Sequence, residues 1–179
     1  MTLGEVMTDT IKVADLNQWP AERFVAALGH IFERSPWVAE QVAGQRPFAN
    51  ADALHAAMMQ ALLARPRDEQ IAFLCQHPRL SPRSMRDRAI APASLAEQKS
   101  AGIGEIDPET AERLEALSDL YEKKFGFPFI IAARQNTIRT IIAALESRIA
   151  RDEETELAEA LSQVGTITRI RLDAVLGSQ

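Results

Sequence analysis

The chain has 179 residues, 46% of them hydrophobic and 25% charged, with a formal net charge of −5 and a pI near 5.3. That composition fits one globular core or at most two small ones, and the acidic balance argues against gripping phosphate backbones, so nucleic acid is not an expected partner. Cys75 is the only cysteine, which excludes an internal disulfide and a cysteine-cluster metal site and reads as a buried, inert thiol.

From the N-terminus, MTLGEVMTDTIKV lacks the charged start and apolar run of a signal peptide. No stretch reaches the ~18 apolar residues that span a bilayer, and the final Gly177-Ser178-Gln179 matches no retention or peroxisomal signal. The expectation is a soluble, cytoplasmic protein with no membrane partner: a flexible leader over residues 1–14, a single domain over 15–176 and a tail at 177–179.

Helical patterns then follow one another. Asn17 and Pro20 open the first, with Phe24, Leu28 and Ile31 along one face, and Ser35-Pro36 starts a short helix that ends near Gly44. Asn50 caps the next, with Leu54, Met58, Ala61 and Leu62 inward, and Pro66 begins a segment that runs into His77. Residues 77–93 hold three prolines and four arginines with no clear period, the pattern of a long ordered loop or lid. Helix resumes at Ser94. Asp107-Pro108-Glu109 is a strong helix start, followed by Leu114, Leu117 and Tyr121 and closed by Lys123, Lys124 and Gly126. Pro128 interrupts the apolar run from Phe127 to Ala133, so that run is expected to be an extended, buried segment rather than a central strand. A helix carrying Ile138, Ile141, Ile142, Leu145 and Ile149 follows, then a last one from about Glu154 to Leu176. The fold class is all-α: a single-domain bundle of six or more helices with a long ordered loop and an extended FGFPF segment.

Three groups have the chemistry for a site, and each has a structural alternative. His77 precedes Pro78, which pushes it out of helical geometry; its imidazole can exchange a proton near neutral pH, although a lone histidine is more often a packed or surface residue. His30 and His55 sit inside helical patterns and read as ordinary positions. Ser94-Leu95-Ala96-Glu97 has the spacing of a capping box, which by itself accounts for both polar residues. Arg171 falls on the same side of the last helix as Leu157, Leu161, Val164, Leu172 and Val175, while Arg169 points the other way. A guanidinium on such a stripe either snorkels to water or is buried with an anion.

Taken together, His77-Pro78, Ser94-x-x-Glu97-Gln98 followed by Ala101-Gly102-Ile103, Tyr121 with Phe125-Gly126-Phe127-Pro128-Phe129, and Arg171-Leu172 resemble, in order and spacing, the decarboxylases of 2-oxo-4-hydroxy-4-carboxy-5-ureidoimidazoline (OHCU). The resemblance runs from about Leu16 to Leu176. It implies a cofactor-free and metal-free carboxy-lyase that completes the conversion of urate to (S)-allantoin, acts on a small-molecule substrate and is usually a homodimer. It also implies His77 as the acid/base group, Glu97 as its catalytic partner, and Pro78, Ser94, Arg171 and the backbone of Phe129, Ile130 and Ile131 as substrate-binding groups. One position departs from the pattern: where the family usually has H-P-D/E-L, Arg79 stands in place of the acid. A diverged member acting on a related ureido or hydroxy-acid substrate, and a non-enzymatic helical interaction module, are the alternatives.

Overall fold

The computed structural model describes residues 11–177. Most of the expected leader and residues 178–179 of the tail lie outside them. Among the described residues there are nine α-helices, three short 3₁₀ turns and no strand, so the all-α expectation holds. The described residues fall into two compact units, residues 11–61 with 169–177, and residues 62–168.

The first unit contains α1 (Val13–Gln18), α2 (Ala21–Leu28), α3 (Trp37–Ala43), most of α4 (Ala51–Leu63) and the end of α9 (Glu153–Leu176). Helix α1 corrects two expectations. Val13 and Ala14 are helical rather than leader, and Asn17 lies inside a helix instead of opening one. Its amide exchanges two hydrogen bonds of 2.8 Å with the backbone of Phe48, fixing the far connection that leads into α4. Pro20 caps α2 as expected, and Phe24, Leu28 and Ile31 are fully buried. Asn50 accepts from the Ala53 amide at 2.9 Å, the cap its sequence position predicts.

The second unit holds α5 (Arg67–Leu74), α6 (Pro92–Ser100), α7 (Pro108–Phe125), α8 (Ile138–Ile149) and the longer part of α9. Asp107 caps α7 through the Thr110 amide at 2.9 Å, and Gly126 ends it with φ 79°, a conformation that favours glycine. The inward face of α7 is Leu114, Ser118, Tyr121 and Phe125 rather than Leu114, Leu117 and Tyr121. Leu117 is only half-buried because steps of four, three and four residues carry the seam past it. Residues 127–132 have no regular secondary structure, and Phe127, Phe129, Ile130, Ile131 and Ala132 are buried.

Candidate active site

The first candidate residue, His77, stands three residues past the end of α5. The Leu74 carbonyl accepts from its backbone N–H at 3.1 Å and lies 3.2 Å from its Nδ1. A carbonyl can only accept, so Nδ1 carries the hydrogen and Nε2 is the acceptor in the neutral ring. The ring packs edge-on to Phe73, with centroids 5.1 Å apart, and only 9% of the residue is exposed. This is a fixed imidazole, since both backbone and ring are tied to the last turn of α5, and Pro78 then prevents the helix from continuing.

Ser94 and Glu97 do not form the capping box their spacing suggests. Helix α6 begins two residues earlier than expected, with Pro92 in its first turn and Ala91 as a cap that contributes no side-chain bond. Proline suits that position because its missing N–H would have been unpaired there. Ser94, Glu97 and Gln98, three and four residues apart, therefore share one face of α6; Ser94 and Gln98 are buried and Glu97 is half-buried. Gln98 ties the loop after His77 to this helix. Its Nε2 donates to the Arg79 carbonyl at 3.0 Å, and its Oε1 accepts from the Ser81 amide at 3.4 Å and the Ser84 hydroxyl at 3.3 Å. So α6 carries both the candidate serine and glutamate and the amide that fixes the exit from His77-Pro78.

On another side, α6 packs against the 3₁₀ turn Ala133–Gln135 that ends the apolar segment. The Ile130 carbonyl accepts from Arg148 Nη1 at 2.8 Å, which uses one of its two lone pairs. The Ala132 N–H likewise donates to Gln163 Oε1 at 3.0 Å. Among the described residues, the N–H groups of Phe129, Ile130 and Ile131 and the carbonyls of Phe129 and Ile131 have no protein partner, although the segment is buried. Such groups are costly unless something else meets them.

Arg79, at the position where the resemblance leads to the expectation of an acid, is met by three acids on α7. It meets Glu122 through Nε at 2.8 Å and Nη2 at 2.8 Å, and Nη1 reaches Glu115 at 2.9 Å and Asp119 at 2.8 Å. Those contacts, Glu122 first, hold the guanidinium far into its charged form. A cavity of about 380 Å³ lies beside His77, with Cys75, Arg79, Glu122 and residues 126–128 as its other walls; Ser94, Glu97 and residues 129–131 are not among them. Cys75 is exposed rather than buried, because it caps α5 at the surface; its thiol lies 3.3 Å from the Gly126 carbonyl. Partial burial and then the Glu122 charge push its pKa up, which favours the thiol over the thiolate.

Arg171 belongs to the first unit and is described there. It is 7% exposed, so the buried alternative applies and not the snorkelling one. Its Nη1 meets Glu33 at 3.1 Å and the Ile31 carbonyl at 3.3 Å. Glu33, itself 2% exposed, is an anion supplied by the protein. Desolvation and then the Arg171 cation push the nearby His30 below the ordinary histidine value, so it is neutral at pH 7. Arg169 faces the other way, as expected, and pairs with Asp173 at 2.9 Å and with Asp52.

Comparison with known proteins adds an independent line. The description of one family, OHCU decarboxylase, matches residues 17–173. The chain belongs to the OHCU decarboxylase family. It is 38% identical to the 2-oxo-4-hydroxy-4-carboxy-5-ureidoimidazoline decarboxylase of Halalkalicoccus jeotgali, over 91% of this chain and 90% of that one. The Mus musculus enzyme of the same name is 34% identical, over 95% and 94% respectively. Among solved structures, a crystal structure of (S)-allantoin synthase matches with a TM-score of 0.75 at 29% identity, covering 93% of this chain and 54% of that chain; this chain thus spans about half of that protein's length.

For an OHCU decarboxylase family member, the sequence motifs named His77, Pro78, Ser94, Glu97, Phe129, Ile130, Ile131 and Arg171. All but Arg171 lie in the unit spanning 62–168. Gln98 stands inside the Ser94-x-x-Glu97-Gln98 motif with no role assigned to it, and the motifs missed Arg148, Gln163 and Glu33. A usable signal existed for Arg148, since Ile141, Leu145 and Arg148 share a face by the same spacing that singled out Arg171. The motif gave no sign of what Gln98 does, because its partners, the Ser84 hydroxyl, the Ser81 amide and the Arg79 carbonyl, stand 14, 17 and 19 residues away.

Proposed function

We propose that this chain is a cofactor-free carboxy-lyase that converts 2-oxo-4-hydroxy-4-carboxy-5-ureidoimidazoline to (S)-allantoin and carbon dioxide in urate breakdown. Membership of the OHCU decarboxylase family over residues 17–173 carries this reading. The chemistry needs no added electron sink. As the bond to the carboxylate breaks, its electron pair forms a ring C=C and displaces the adjacent C=N pair onto nitrogen, which takes up one proton from solvent. The hydroxyl then loses its proton to become the ring carbonyl as the carbon bearing the ureido group gains one, so one solvent proton is consumed for each carbon dioxide released.

His77 is the acid/base group at the substrate hydroxyl, with Nε2 as the accepting atom; its ring is held by the Leu74 carbonyl. Glu97 orients the ligand and handles the proton that sets the product's hand. Ser94, on the same face of α6, helps hold the substrate beside Pro78, and the backbone of Phe129, Ile130 and Ile131 meets its amide groups. Arg171 binds a carbonyl or anionic oxygen of the ligand, with Glu33 keeping the guanidinium in place. The working form is a cytoplasmic homodimer.

The deciding experiment supplies freshly generated OHCU and follows carbon dioxide release together with circular dichroism of the product. The expected result is turnover well above spontaneous decay and a product of one hand. Racemic allantoin formed at the spontaneous rate would overturn the assignment.

A further inference from the structure

The proposed function asks the backbone at residues 129–131 to meet the substrate, yet neither helix nor strand holds that segment. What holds it comes from α8 and α9. Arg148, 3% exposed on the apolar stripe of α8, bonds the Ile130 carbonyl at 2.8 Å, and its guanidinium lies 4.5 Å from the Phe129 ring centroid. Glu156, with no exposure, braces it at 2.7 Å and also accepts from the Tyr121 hydroxyl. Two residues along the segment, the Ala132 N–H is bonded by Gln163, whose own amide is held by Glu159 at 2.9 Å.

A buried ion pair contributes little net stability compared with apolar side chains of similar volume. Its directionality is what apolar residues cannot supply. The peptide unit is planar and trans, so the carbonyl of one residue and the N–H of the next point in opposite directions. Drawing the Ile130 carbonyl to Arg148 therefore aims the Ile131 N–H the other way, and drawing the Ala132 N–H to Gln163 does the same for the Ile131 carbonyl. Neither Ile131 group has a protein partner among the described residues. A donor and an acceptor on one residue match an amide edge, the HN–C=O unit present in a ureide or ring lactam.

Resting on the function proposed above, we propose that Arg148, braced by Glu156, and Gln163 are positioning residues that aim the Ile131 N–H and carbonyl at an amide edge of the substrate. Their effect falls on binding more than on the chemical step. The test uses two variants of the full chain. Tyr121→Phe/Arg148→Met/Glu156→Leu removes the ionic network as a unit, so no buried charge is stranded, and Gln163→Leu removes the second clamp at a half-buried position, with Gln163→Glu as the variant that keeps an acceptor. Each is measured for thermal unfolding, KM and kcat on OHCU, calorimetric Kd for (S)-allantoin, and amide hydrogen exchange over residues 129–132.

The expected result is folded protein, KM and Kd raised about tenfold for the triple variant and severalfold for Gln163→Leu, the scale of one hydrogen bond to a charged group and one to a neutral group. kcat should change less, Gln163→Glu should recover only part of KM, because its carboxylate keeps the acceptor for the Ala132 N–H but meets Glu159 without the bridging hydrogen, and exchange should quicken only over 129–132. Folded variants with unaltered KM, Kd and local exchange would show that the network merely fills the core; if the triple variant does not fold, Gln163→Leu decides alone. Should the wild type neither turn over OHCU nor bind allantoin, the function fails, and local exchange still judges the clamp: unaltered exchange overturns it.

Discussion

Arg79 offers the sharpest test, because the motif around His77-Pro78 leads to the expectation of an acid there and the structure instead surrounds a cation with three acids. Consider Arg79→Met, which keeps much of the stem and removes the charge. Glu122 contacts the guanidinium through both oxygens and its side chain is 32% exposed, so this pair belongs near the upper end of the ~0.2–1 kcal/mol measured for accessible ion pairs. Glu115, at 34%, is similar, whereas Asp119, at 70%, contributes least. Together they suggest about 2 kcal/mol. The uncovered acids stand four and three residues apart on one helix face, and their repulsion adds roughly 0.5–1 kcal/mol. The expected loss is about 2–3 kcal/mol, or ~4–12 °C in Tm for a chain of this size.

The assay is unfolding of wild type and variant at 50 mM and 1 M NaCl. Screening contracts to ~3 Å at the higher salt, so the difference should shrink by half or more. Glu122 and His77 line one cavity, so the acidic limb of kcat/KM should also move toward neutral pH in the variant, because uncovered carboxylates favour a protonated imidazole. A stability loss under about 0.5 kcal/mol that ignores salt would refute the network. An unmoved limb would mean that the α7 acids do not face the ring.

Three further outcomes follow from the same geometry. His77→Ala should lower turnover by ~10²-fold or more and, because the ring is 9% exposed and tied to Leu74, should also cost about 1–2 kcal/mol in denaturant unfolding. Near-wild-type rates would remove His77 from the mechanism. Glu97→Gln should leave Tm almost unchanged, since α6 is not capped at Ser94, while carbon dioxide release falls; lost stability with normal turnover would return Glu97 to a structural role. Arg171→Met strands the buried Glu33 carboxylate and should cost about 3–5 kcal/mol, most of it recovered in Arg171→Met/Glu33→Leu; equal stability of the single and double variants would show that the pair is not coupled.

Much of the fold is legible because its signals are local. Asn50 and Asp107 cap helices where a side-chain oxygen precedes an apolar period, and Gly126 stops α7 where a left-handed residue is required. The errors arise where two local rules compete. Ser94-x-x-Glu97 satisfies the capping-box pattern, yet Pro92 two residues earlier is the better helix opener, and its fixed φ decides the start. Asn17 has the chemistry of a cap but is taken by the Phe48 backbone 31 residues away. No periodicity in the sequence carries that pairing.

The candidate site is less legible for the same reason. His77, Ser94, Glu97 and Arg171 can be named from motifs, but what fixes them is a set of distant partners: Gln98 for the loop after His77, α7 acids for Arg79, Glu33 for Arg171. Arg148 and Arg171 give one useful rule. Each lies on an apolar helix stripe, each is buried, and each finds its carboxylate inside the fold, Arg148 in Glu156 and Arg171 in Glu33. Desolvating two such pairs costs more than an apolar core would. What distinguishes both arginines from a packed methionine is that a guanidinium has donors left after pairing: one goes to the Ile130 carbonyl, another to the Ile31 carbonyl. An arginine that periodicity places inward is therefore best read as a backbone-orienting group, and the segment it orients is the place to look for ligand contacts.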